Sequence, residues 1–297
     1  MGIGKGPALL LLKESIVKPF HGSILTLGKQ EVLISPFQLK RHCNRLGINL
    51  ELPKNSDPYL PITDKDFFQA LGFSDLQTLD YSDYEGASIP FDLNSGETPE
   101  KYKDAFDVIY DGGTIEHVFH LPNALKSLVW MLKPGGRIIH FSPAANHLEH
   151  GFYMFSPTFF SDYYEANHFQ LDSIKIVRCT PCFDYKYKVY DYKSLGLAHT
   201  DVGMGRLDHG MYLIHTVATK TERSTSHVVP NQSIYSKGLW SGGGSTLERS
   251  LLSRAIGDYR LSKWKQIFKE SPLYPLWAYL KLKCRKQGMP LKVSDEF

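Results

Sequence analysis

Three histidines lie just beyond predicted strands, where side chains are well placed for acid–base chemistry. His117 follows a strand that begins at Phe106, and His147 and His150 follow the next strand along the chain. An imidazole titrates near neutral pH, so each of the three is a candidate general base. We favour His150, because the adjacent Gly151 allows a ligand to approach closely. A capping or surface histidine is the structural alternative for each of them.

The segment from Phe106 to Pro143 must position these histidines, and its pattern predicts one βαβ unit. An apolar run from Phe106 is stopped by Asp111 and two glycines, and apolar residues from Leu121 to Leu132 recur at helical spacing. The next four residues, Lys-Pro-Gly-Gly, end that helix before a second apolar run. Parallel strands joined by a helix need cover on both faces, so the segment predicts a layered α/β domain. Open sheets of this kind bind ligands beyond the carboxyl ends of their strands, which is where Asp111 lies.

Further strands and helices are predicted on both sides of this unit. Ser35 with Pro36, and Thr63 with Asp66, are typical helix starts. The predicted strands are Ser23 to Leu27, Leu76 to Leu79 (ending at Asp80), Ser88 to Phe91 (ending at Asp92), Leu171 to Val177 and Gly210 to Thr219, and another helix covers Pro157 to Asn167. Residues 178–209 form a long insertion, which we interpret as a lid or binding loop.

The composition indicates a globular, cytoplasmic protein. The chain has 297 residues, of which 42% are hydrophobic, enough for a substantial core. No apolar run approaches the roughly 18 to 20 residues that span a bilayer, and Ala8 to Leu12 is followed at once by charge without a signal-peptide cleavage site. Four cysteines in a chain of this length do not indicate a disulfide scaffold.

Charge is distributed unevenly along the chain. Residues 247–297 contain eleven lysines and arginines against five acidic residues, and the remainder is mildly acidic. We therefore predict a domain over residues 1–220, a Gly/Ser-containing linker over 221–246 and a basic, amphipathic helical tail over 247–297. A weak contact with an anionic partner or a membrane surface is expected of the tail alone. Nucleic acid is an unlikely partner, because the body lacks clustered lysine and arginine.

Two other site types are rejected from their motifs. Cys179 and Cys182 form a CxxC without a second cysteine pair, and only scattered histidines follow, so we predict no metal site. A dinucleotide-dependent oxidoreductase would need G-x-G-x-x-G after the first strand, and the segment that begins at Gly28 reads GKQEVL.

The sequence FDVIYDGGTIEHV followed by MLKPGGRIIHFSP resembles the fourth and fifth strands of class I S-adenosylmethionine-dependent methyltransferases. The resemblance extends over roughly Ser23 to Thr219, and the IEHV group is similar to quinone and small-molecule methyltransferases. It implies a Rossmann-like α/β fold with a seven-stranded, mostly parallel sheet. Six strands would be parallel, the last antiparallel, and helices would cover both faces.

The resemblance also implies cofactor-binding residues at four strand ends. Leu27 and Gly28 match the start of the glycine-rich loop, although Thr26 replaces the usual acidic residue and no further glycine follows. Ribose hydroxyls would bond to the acidic residue that ends the second strand, and adenine would lie beside the pair after the third. These residues are Asp80 with its neighbour Tyr81, and Asp92 with Leu93, while Asp111 and Gly112 would line the amino-acid end of the cofactor.

The resemblance implies an S-adenosylmethionine-dependent methyltransferase with a small-molecule or glycan-like hydroxyl acceptor. The glycine-poor loop motivates the alternative, a non-catalytic methyltransferase-like interaction module. The sequence leaves open the acceptor, the methylated atom type and the oligomeric state.

Overall fold

A computed structural model describes residues 2–52, 57–180, 186–192, 207–233 and 293–296 of the chain. In this part the helices are α1 (Lys5–Val17), α2 (Pro36–Leu46), α3 (Asp64–Ala70), α4 (Leu121–Met131) and α5 (Pro157–Ala166). The strands are β1 (Gly2–Ile3), β2 (Ser23–Leu27), β3 (Glu31–Val32), β4 (Asp75–Asp80), β5 (Ile89–Pro90), β6 (Phe106–Asp111), β7 (Leu132–Ala145), β8 (Gln170–Thr180), β9 (Lys186–Asp191), β10 (Met211–Thr219) and β11 (Val293–Glu296). Two 3₁₀ turns cover Glu100–Tyr102 and Ile115–His117.

The main sheet has the order β11-β9-β8-β10-β7-β6-β2-β4-β5 in the described part of the chain. Strands β5, β4, β2, β6 and β7 are parallel, and β10 is antiparallel to both β7 and β8. Strand β8 therefore runs in the same direction as β7, and β9 and β11 continue the sheet as antiparallel neighbours. From β5 to β7 the order is that of a doubly wound nucleotide-binding sheet.

The prediction of an α/β fold with helices on both faces is confirmed, but the predicted number of seven strands is wrong. The described sheet has nine strands, because β9 lies within the predicted lid and β11 within the predicted helical tail. In β9 the side chains of Tyr187 and Val189 are buried against a cluster that contains Leu10 of α1. Alternating aromatic and charged residues therefore make a strand here, paired with β8 on one side and β11 on the other. Residues 181–185 and 193–206 of the predicted lid, and the rest of the predicted tail, lie outside the described residues.

Two separate hydrophobic layers hold the helices on the sheet. Helices α4 and α5 pack over one face, where Leu25, Ile109 and Ile138 are buried. Helices α1, α2 and α3 pack over the opposite face, around Ile24 and Tyr110. Because side chains alternate along a strand, neighbouring residues of one strand serve both layers.

Side-chain caps fix the starts of α2 and α3 as the sequence predicts. Ser35 Oγ accepts a hydrogen bond from Gln38 N, and Gln38 Oε1 accepts one from Ser35 N, which makes a reciprocal capping box. Thr63 Oγ1 accepts a bond from Asp66 N at the start of α3. Each cap satisfies backbone donors that a helix start leaves without an internal partner.

The Lys-Pro-Gly-Gly segment makes a loop in the pairing between β6 and β7. Leu132 lies opposite Phe106, and pairing resumes with Arg137 opposite Val108. A Cβ on Gly136 would lie 2.8 Å from the Lys133 carbonyl oxygen and 2.9 Å from that of Asp107. Only a residue without a side chain fits there, which explains the glycine between helix and strand.

The segment at the N-terminal side of β2 is a helix that sequence patterning missed. The run Ala8–Leu12 lies inside α1, and all five of its side chains are buried. A helix that is apolar around most of its circumference has no periodic stripe to detect. Within the described residues, no helix is long and apolar enough to cross a membrane.

The first part of the predicted linker follows the carboxyl end of α5. Thr225 N donates to the Asn167 carbonyl oxygen at 2.9 Å, and Asn167 Nδ2 donates to the Val228 carbonyl oxygen at 3.0 Å. Ser233 N donates to Asp162 Oδ2 at 2.8 Å. Residues 221–233 are therefore held on the body, and the predicted boundaries of domain, linker and tail stay predictions.

One buried histidine in the sheet makes stability depend on pH. His215 of β10 is 1% exposed, and neither ring nitrogen has a hydrogen-bond partner among the described residues. Burial, with smaller contributions from Lys175 and His140, lowers the pKa of His215 from 6.5 to about 3. The imidazole of the folded chain therefore stays neutral between about pH 3 and 6.5, where an unfolded histidine is protonated.

We expect His215→Leu to become more stable relative to wild type as pH falls. Below about pH 6.5 the unfolded wild type takes up a proton that the folded state refuses, so its stability drops through this window. Lowering the pH from 8 to 5 should move the difference in the free energy of unfolding by about 2 kcal/mol in favour of the variant. Urea unfolding at both pH values measures this, with His21→Leu at an exposed position as the control. Parallel pH profiles of wild type and His215→Leu would contradict the assignment.

Candidate functional site

The sheet has a topological switch point between β2 and β6. From β2 the chain proceeds to β4 and β5 on one side, and β6 and β7 lie on the other. The loops that follow β2 and β6 therefore leave in opposite directions and open a crevice at the carboxyl edge of the sheet. Gly28 begins one of these loops and Gly112 the other.

Three strand ends converge at Gly28. Its φ of +70° is in the left-handed region, and its amide donates to the Leu79 carbonyl oxygen at 2.7 Å. A Cβ there would lie 3.4 Å from Thr114 Oγ1 and 3.8 Å from Asp80 Oδ2. Thr114 Oγ1 in turn donates to the Leu27 carbonyl oxygen at 2.8 Å. The predicted residues Leu27, Gly28 and Asp80 are thus neighbours in the crevice.

Gln30 occupies the place where a glycine-rich loop would leave space. It is 2% exposed, and its Nε2 donates to the carbonyl oxygens of Leu27 at 2.8 Å and Gly28 at 3.3 Å. Its Oε1 lies where a Cβ on Gly112 would have to be and has no hydrogen-bond partner among the described residues. The Gln30 side chain therefore narrows the crevice between the two loops. Its Oε1 is a hydrogen-bond acceptor there that has no donor among the described residues.

The backbone after this loop forms a short strand before the predicted helix begins. Glu31 and Val32 form β3, which pairs in parallel with β1, and α2 begins only at Pro36. In the first turn of α2, the Gln38 amide is already bonded to Ser35 Oγ of the capping box.

The other predicted cofactor residues lie at the ends of β4 and β5. Asp80 is partly buried, its Oδ1 accepts a bond from Tyr81 N at 2.7 Å, and the Tyr81 side chain is 76% exposed. Asp92 Oδ1 accepts bonds from the backbone and side-chain nitrogens of Asn94 at 2.8 and 3.1 Å. Leu93 is buried in the core under α4. Asp92 therefore shapes its own turn, and its contact with a ligand stays a prediction.

Asp111 uses its carboxylate within the protein. It is fully buried, and its Oδ1 accepts bonds from the amides of Gly113, Thr114 and Ile115 at 3.3, 2.8 and 3.3 Å. Its Oδ2 lies 2.7 Å from His140 Nδ1. A role at the amino-acid end of a cofactor stays a prediction, and here the residue orders the loop after β6.

His140 and Tyr164 complete a buried chain of hydrogen bonds that sequence reasoning missed. His140 Nε2 lies 2.5 Å from Tyr164 Oη, and both side chains are fully buried. The geometry fits a neutral imidazole whose Nδ1 donates to the Asp111 carboxylate and whose Nε2 accepts from the Tyr164 hydroxyl. Burial raises the pKa of Tyr164 well above its usual value. The signal available in the sequence was a polar residue, His140, within the apolar run of β7.

A second polar cluster surrounds Glu116 and brings together the three histidines predicted from the sequence. Glu116 is fully buried, and its Oε1 lies 3.5 Å from His150 Nε2 and 4.0 Å from His117 Nε2. The rings of His117 and His150 are 5.3 Å apart, and those of His147 and His150 are 5.5 Å apart. One possible ligand atom from each of Glu116, His117 and His150 lies within 4.8 Å of the other two, a spacing that could hold a metal ion.

Burial dominates the electrostatics of this cluster. It raises the pKa of Glu116 to about 8, with a further contribution from Asp111. Burial, followed by the neighbouring His150, lowers the pKa values of His117 and His147. The imidazoles of His117 and His147 are therefore mostly uncharged at neutral pH.

An exposed apolar rim borders the cluster. The side chains of Phe119, Leu148, Phe152 and Met154 are each more than half exposed. The rings of Phe119 and Phe152 meet edge-on at 5.5 Å, and Tyr153 Oη donates to the Phe119 carbonyl oxygen at 2.7 Å. Clustered exposed apolar side chains commonly mark a binding surface.

Comparison with known proteins gives distant structural similarity only. No protein-family model and no curated protein matches the chain. Among solved structures, the chain is similar to 1,6-didemethyltoxoflavin-N1-methyltransferase from Burkholderia thailandensis, with 12% identity over 73% of this chain and 78% of that one, at a TM-score of 0.36. It is also similar to a SAM-dependent methyltransferase from Archaeoglobus fulgidus (13% identity, 72% and 92% covered, TM-score 0.39) and to the N-methyltransferase NodS from Bradyrhizobium japonicum (15%, 72% and 94%, 0.33). Similarities this distant do not assign an activity, a substrate or a site to this chain.

Substitution of two adjacent tyrosines tests the buried hydrogen-bond chain. Tyr164→Phe leaves His140 Nε2 buried without a donor and should lower the free energy of unfolding by about 1–3 kcal/mol. Tyr163→Phe is the matched control, since that hydroxyl reaches only the Ser226 carbonyl oxygen at 3.5 Å. Urea unfolding followed by circular dichroism compares the two. Equal losses in both variants would contradict a specific role for Tyr164.

Proposed function

We propose that this protein is an S-adenosylmethionine-dependent methyltransferase that acts on a hydroxyl group of a small-molecule or glycan-like acceptor. The observation that carries the proposal is the convergence of Gly28, Asp80 and Thr114 at the switch point of the sheet. Nucleoside ligands of doubly wound sheets bind at this position. The sequence signature of β6 and β7 agrees with the same class of enzyme.

The residues at the crevice fit such a cofactor at its ribose and at its amino-acid part. Asp80 Oδ2 lies beside the small Gly28 and can accept hydrogen bonds from ribose hydroxyls. Gln30 Oε1 is a buried acceptor that lacks a donor among the described residues, and an ammonium group of the cofactor's amino-acid part would supply one. A buried acceptor without a partner is costly, so a ligand that donates to it gains affinity.

The chain's own contribution to the reaction would be positioning and proton removal. When bound, S-adenosylmethionine supplies a methyl group that its sulfonium already activates. The apolar rim around Phe119 and Phe152 would hold the acceptor, and alignment of its oxygen can contribute roughly 7–11 kcal/mol in well-oriented systems. An imidazole of the histidine cluster would take the hydroxyl proton. His150 is the first candidate, because it is about half exposed and borders both other histidines.

The narrowed loop favours one second candidate, a non-catalytic methyltransferase-like module. Gln30 fills space beside Gly112 that a glycine would leave to the cofactor. In that case the side-chain amide of Gln30 only stabilises the loop, through its bonds to the carbonyl oxygens of Leu27 and Gly28. The two candidates differ in whether the chain binds S-adenosylmethionine or S-adenosylhomocysteine.

Calorimetry of Asp80 variants tests the cofactor site. Asp80→Ala should weaken binding of S-adenosylhomocysteine by about 10- to 100-fold, because a bond to a charged acceptor contributes roughly 1.5–3 kcal/mol. Asp83→Ala is the control, an exposed aspartate in the following turn. Absence of binding heat in the wild-type protein would exclude the enzyme, and equal affinity of both variants would remove Asp80 from the site.

Gln30→Ala separates the two interpretations of the loop. If Gln30 Oε1 accepts from the cofactor, the variant binds S-adenosylhomocysteine about 3- to 10-fold more weakly, as expected for one hydrogen bond. If the side chain only blocks the crevice, the same variant binds more tightly than wild type. Thermal unfolding of both proteins verifies that the loop still folds, and tighter binding would overturn the role we give to Gln30.

A further inference from the structure

We infer that Glu116, His117 and His150 form a binding site for a divalent transition-metal ion, with zinc as the best match. Sequence reasoning predicted no metal, because it considered only the cysteine pair at Cys179 and Cys182. Two imidazoles and one carboxylate are a common donor set for zinc and for other first-row metals. The inference rests on the cluster's geometry and is independent of cofactor binding.

The buried carboxylate is the first argument for a ligand. Glu116 is fully buried, and neither of its oxygens has a hydrogen-bond partner among the described residues. The imidazole nitrogens His150 Nε2 and His117 Nε2 lie at 3.5 and 4.0 Å from Glu116 Oε1, outside good hydrogen-bond geometry. Buried carboxylates are normally paired, hydrogen-bonded or bound to a metal. A cation between the three side chains would satisfy this buried carboxylate.

The donor spacing is the second argument. Two ligand atoms on a tetrahedral zinc ion lie about 3.3 Å apart when each bond is roughly 2.0–2.1 Å long. The observed separation from Glu116 Oε1 to His150 Nε2 is 3.5 Å, and that to His117 Nε2 is 4.0 Å. Both imidazoles are partly exposed, so their side chains have room to rotate toward a bound ion.

The backbone holds the two ligand-bearing segments together. Glu116 and His117 share the 3₁₀ turn after β6, whose first residues Asp111 fixes. The amides of Phe152 and Tyr153 donate to the Glu116 carbonyl oxygen at 2.8 and 3.2 Å. A Cβ on Gly151 would lie 2.9 Å from that same oxygen, so only glycine permits this contact.

Backbone conformation in the second segment supports a built site. Asn146 and Glu149 are non-glycine residues with φ of +63° and +62°, a left-handed conformation that folds His147 and His150 toward each other. Asn146 Nδ2 anchors the segment by donating to the carbonyl oxygens of Asp208 and Gly210 at 2.9 and 2.7 Å. Such strain persists where surrounding contacts enforce it and is frequent at functional sites.

Open positions remain for a further ligand. The side chains of His117 and His150 are 46% and 45% exposed, so solvent reaches the metal position. His147 Nε2 is buried and has no partner among the described residues. With His150 committed to the metal, His147 becomes the nitrogen that remains to accept a proton from an acceptor bound at the open position.

Titration of the chelator-treated full-length protein with Zn²⁺ alone tests the site. We expect one equivalent to bind tightly in calorimetry, and Co²⁺ to give visible absorption bands of a low-coordinate N/O site. His117→Gln and His150→Gln should each weaken the first Zn²⁺ equivalent by at least about 100-fold, since even indirect changes around a metal cost 10- to 100-fold. Both positions are half exposed, so these variants are expected to fold.

His120→Gln is the matched control, an exposed histidine three residues from His117 that is not part of the cluster. Zn²⁺ should raise the thermal unfolding temperature of wild type and His120→Gln, and should not do so for His150→Gln. No uptake by wild type, or equal uptake by His120→Gln and His150→Gln, would overturn the inference. Cofactor affinity is read separately through Asp80→Ala, so the failure of either proposal leaves the other measurable.

Discussion

The carboxylate of Asp111 is the interaction on which the functional end of this molecule depends. One oxygen holds three successive amides of the loop after β6, and the other holds His140 of β7. Through His140 the same carboxylate fixes Tyr164 of α5. One buried charge therefore couples the loop, the sheet and a helix, and each hydrogen bond to a charged group contributes more than a neutral one. Its removal would release both walls of the candidate site at once.

The same charge affects the residues beyond the loop. Asp111 contributes to the raised pKa of Glu116, since two buried carboxylates in proximity disfavour a second negative charge. A divalent cation relieves that repulsion, because it places positive charge beside Glu116 while leaving Asp111 with its amide donors. The buried hydrogen-bond chain and the metal site that we infer therefore both depend on the buried carboxylates of the loop after β6.

Sequence predicted the elements that are determined by local patterning. The caps at Ser35 and Thr63, the βαβ unit and the strand ends at Gly28 and Asp80 follow from periodicity and turn chemistry, and the structure places them as expected. Helix α1 was missed because it lacks a polar face. The alternating residues of β9 allow a half-exposed strand as well as a lid, and the structure forms the strand. Strand β11 was missed because its partner β9 lies about one hundred positions away in the chain, which leaves no local signal.

The candidate site was only partly predictable for a related reason. Residue type and position after a strand identified the three histidines, but not that they surround Glu116. The sequence assigned Glu116 no role beyond a local hydrogen bond, because burial without a partner depends on the fold of the segment 147–153. Likewise, the absence of glycine after Gly28 was visible, whereas the position of Gln30 against Gly112 depends on β3 pairing with β1.

The crevice and the histidine cluster share one short segment, the loop that follows β6. Gly112 faces Gln30 on the crevice side, and Glu116 and His117 face the second segment four residues later. The amides of Gly113, Thr114 and Ile115 donate to the single carboxylate of Asp111, which fixes one end of this loop relative to the other. The crevice and the histidine cluster are therefore connected by one ordered loop, and the proposed reaction would use both, with the cofactor in the crevice and the acceptor beside the histidines.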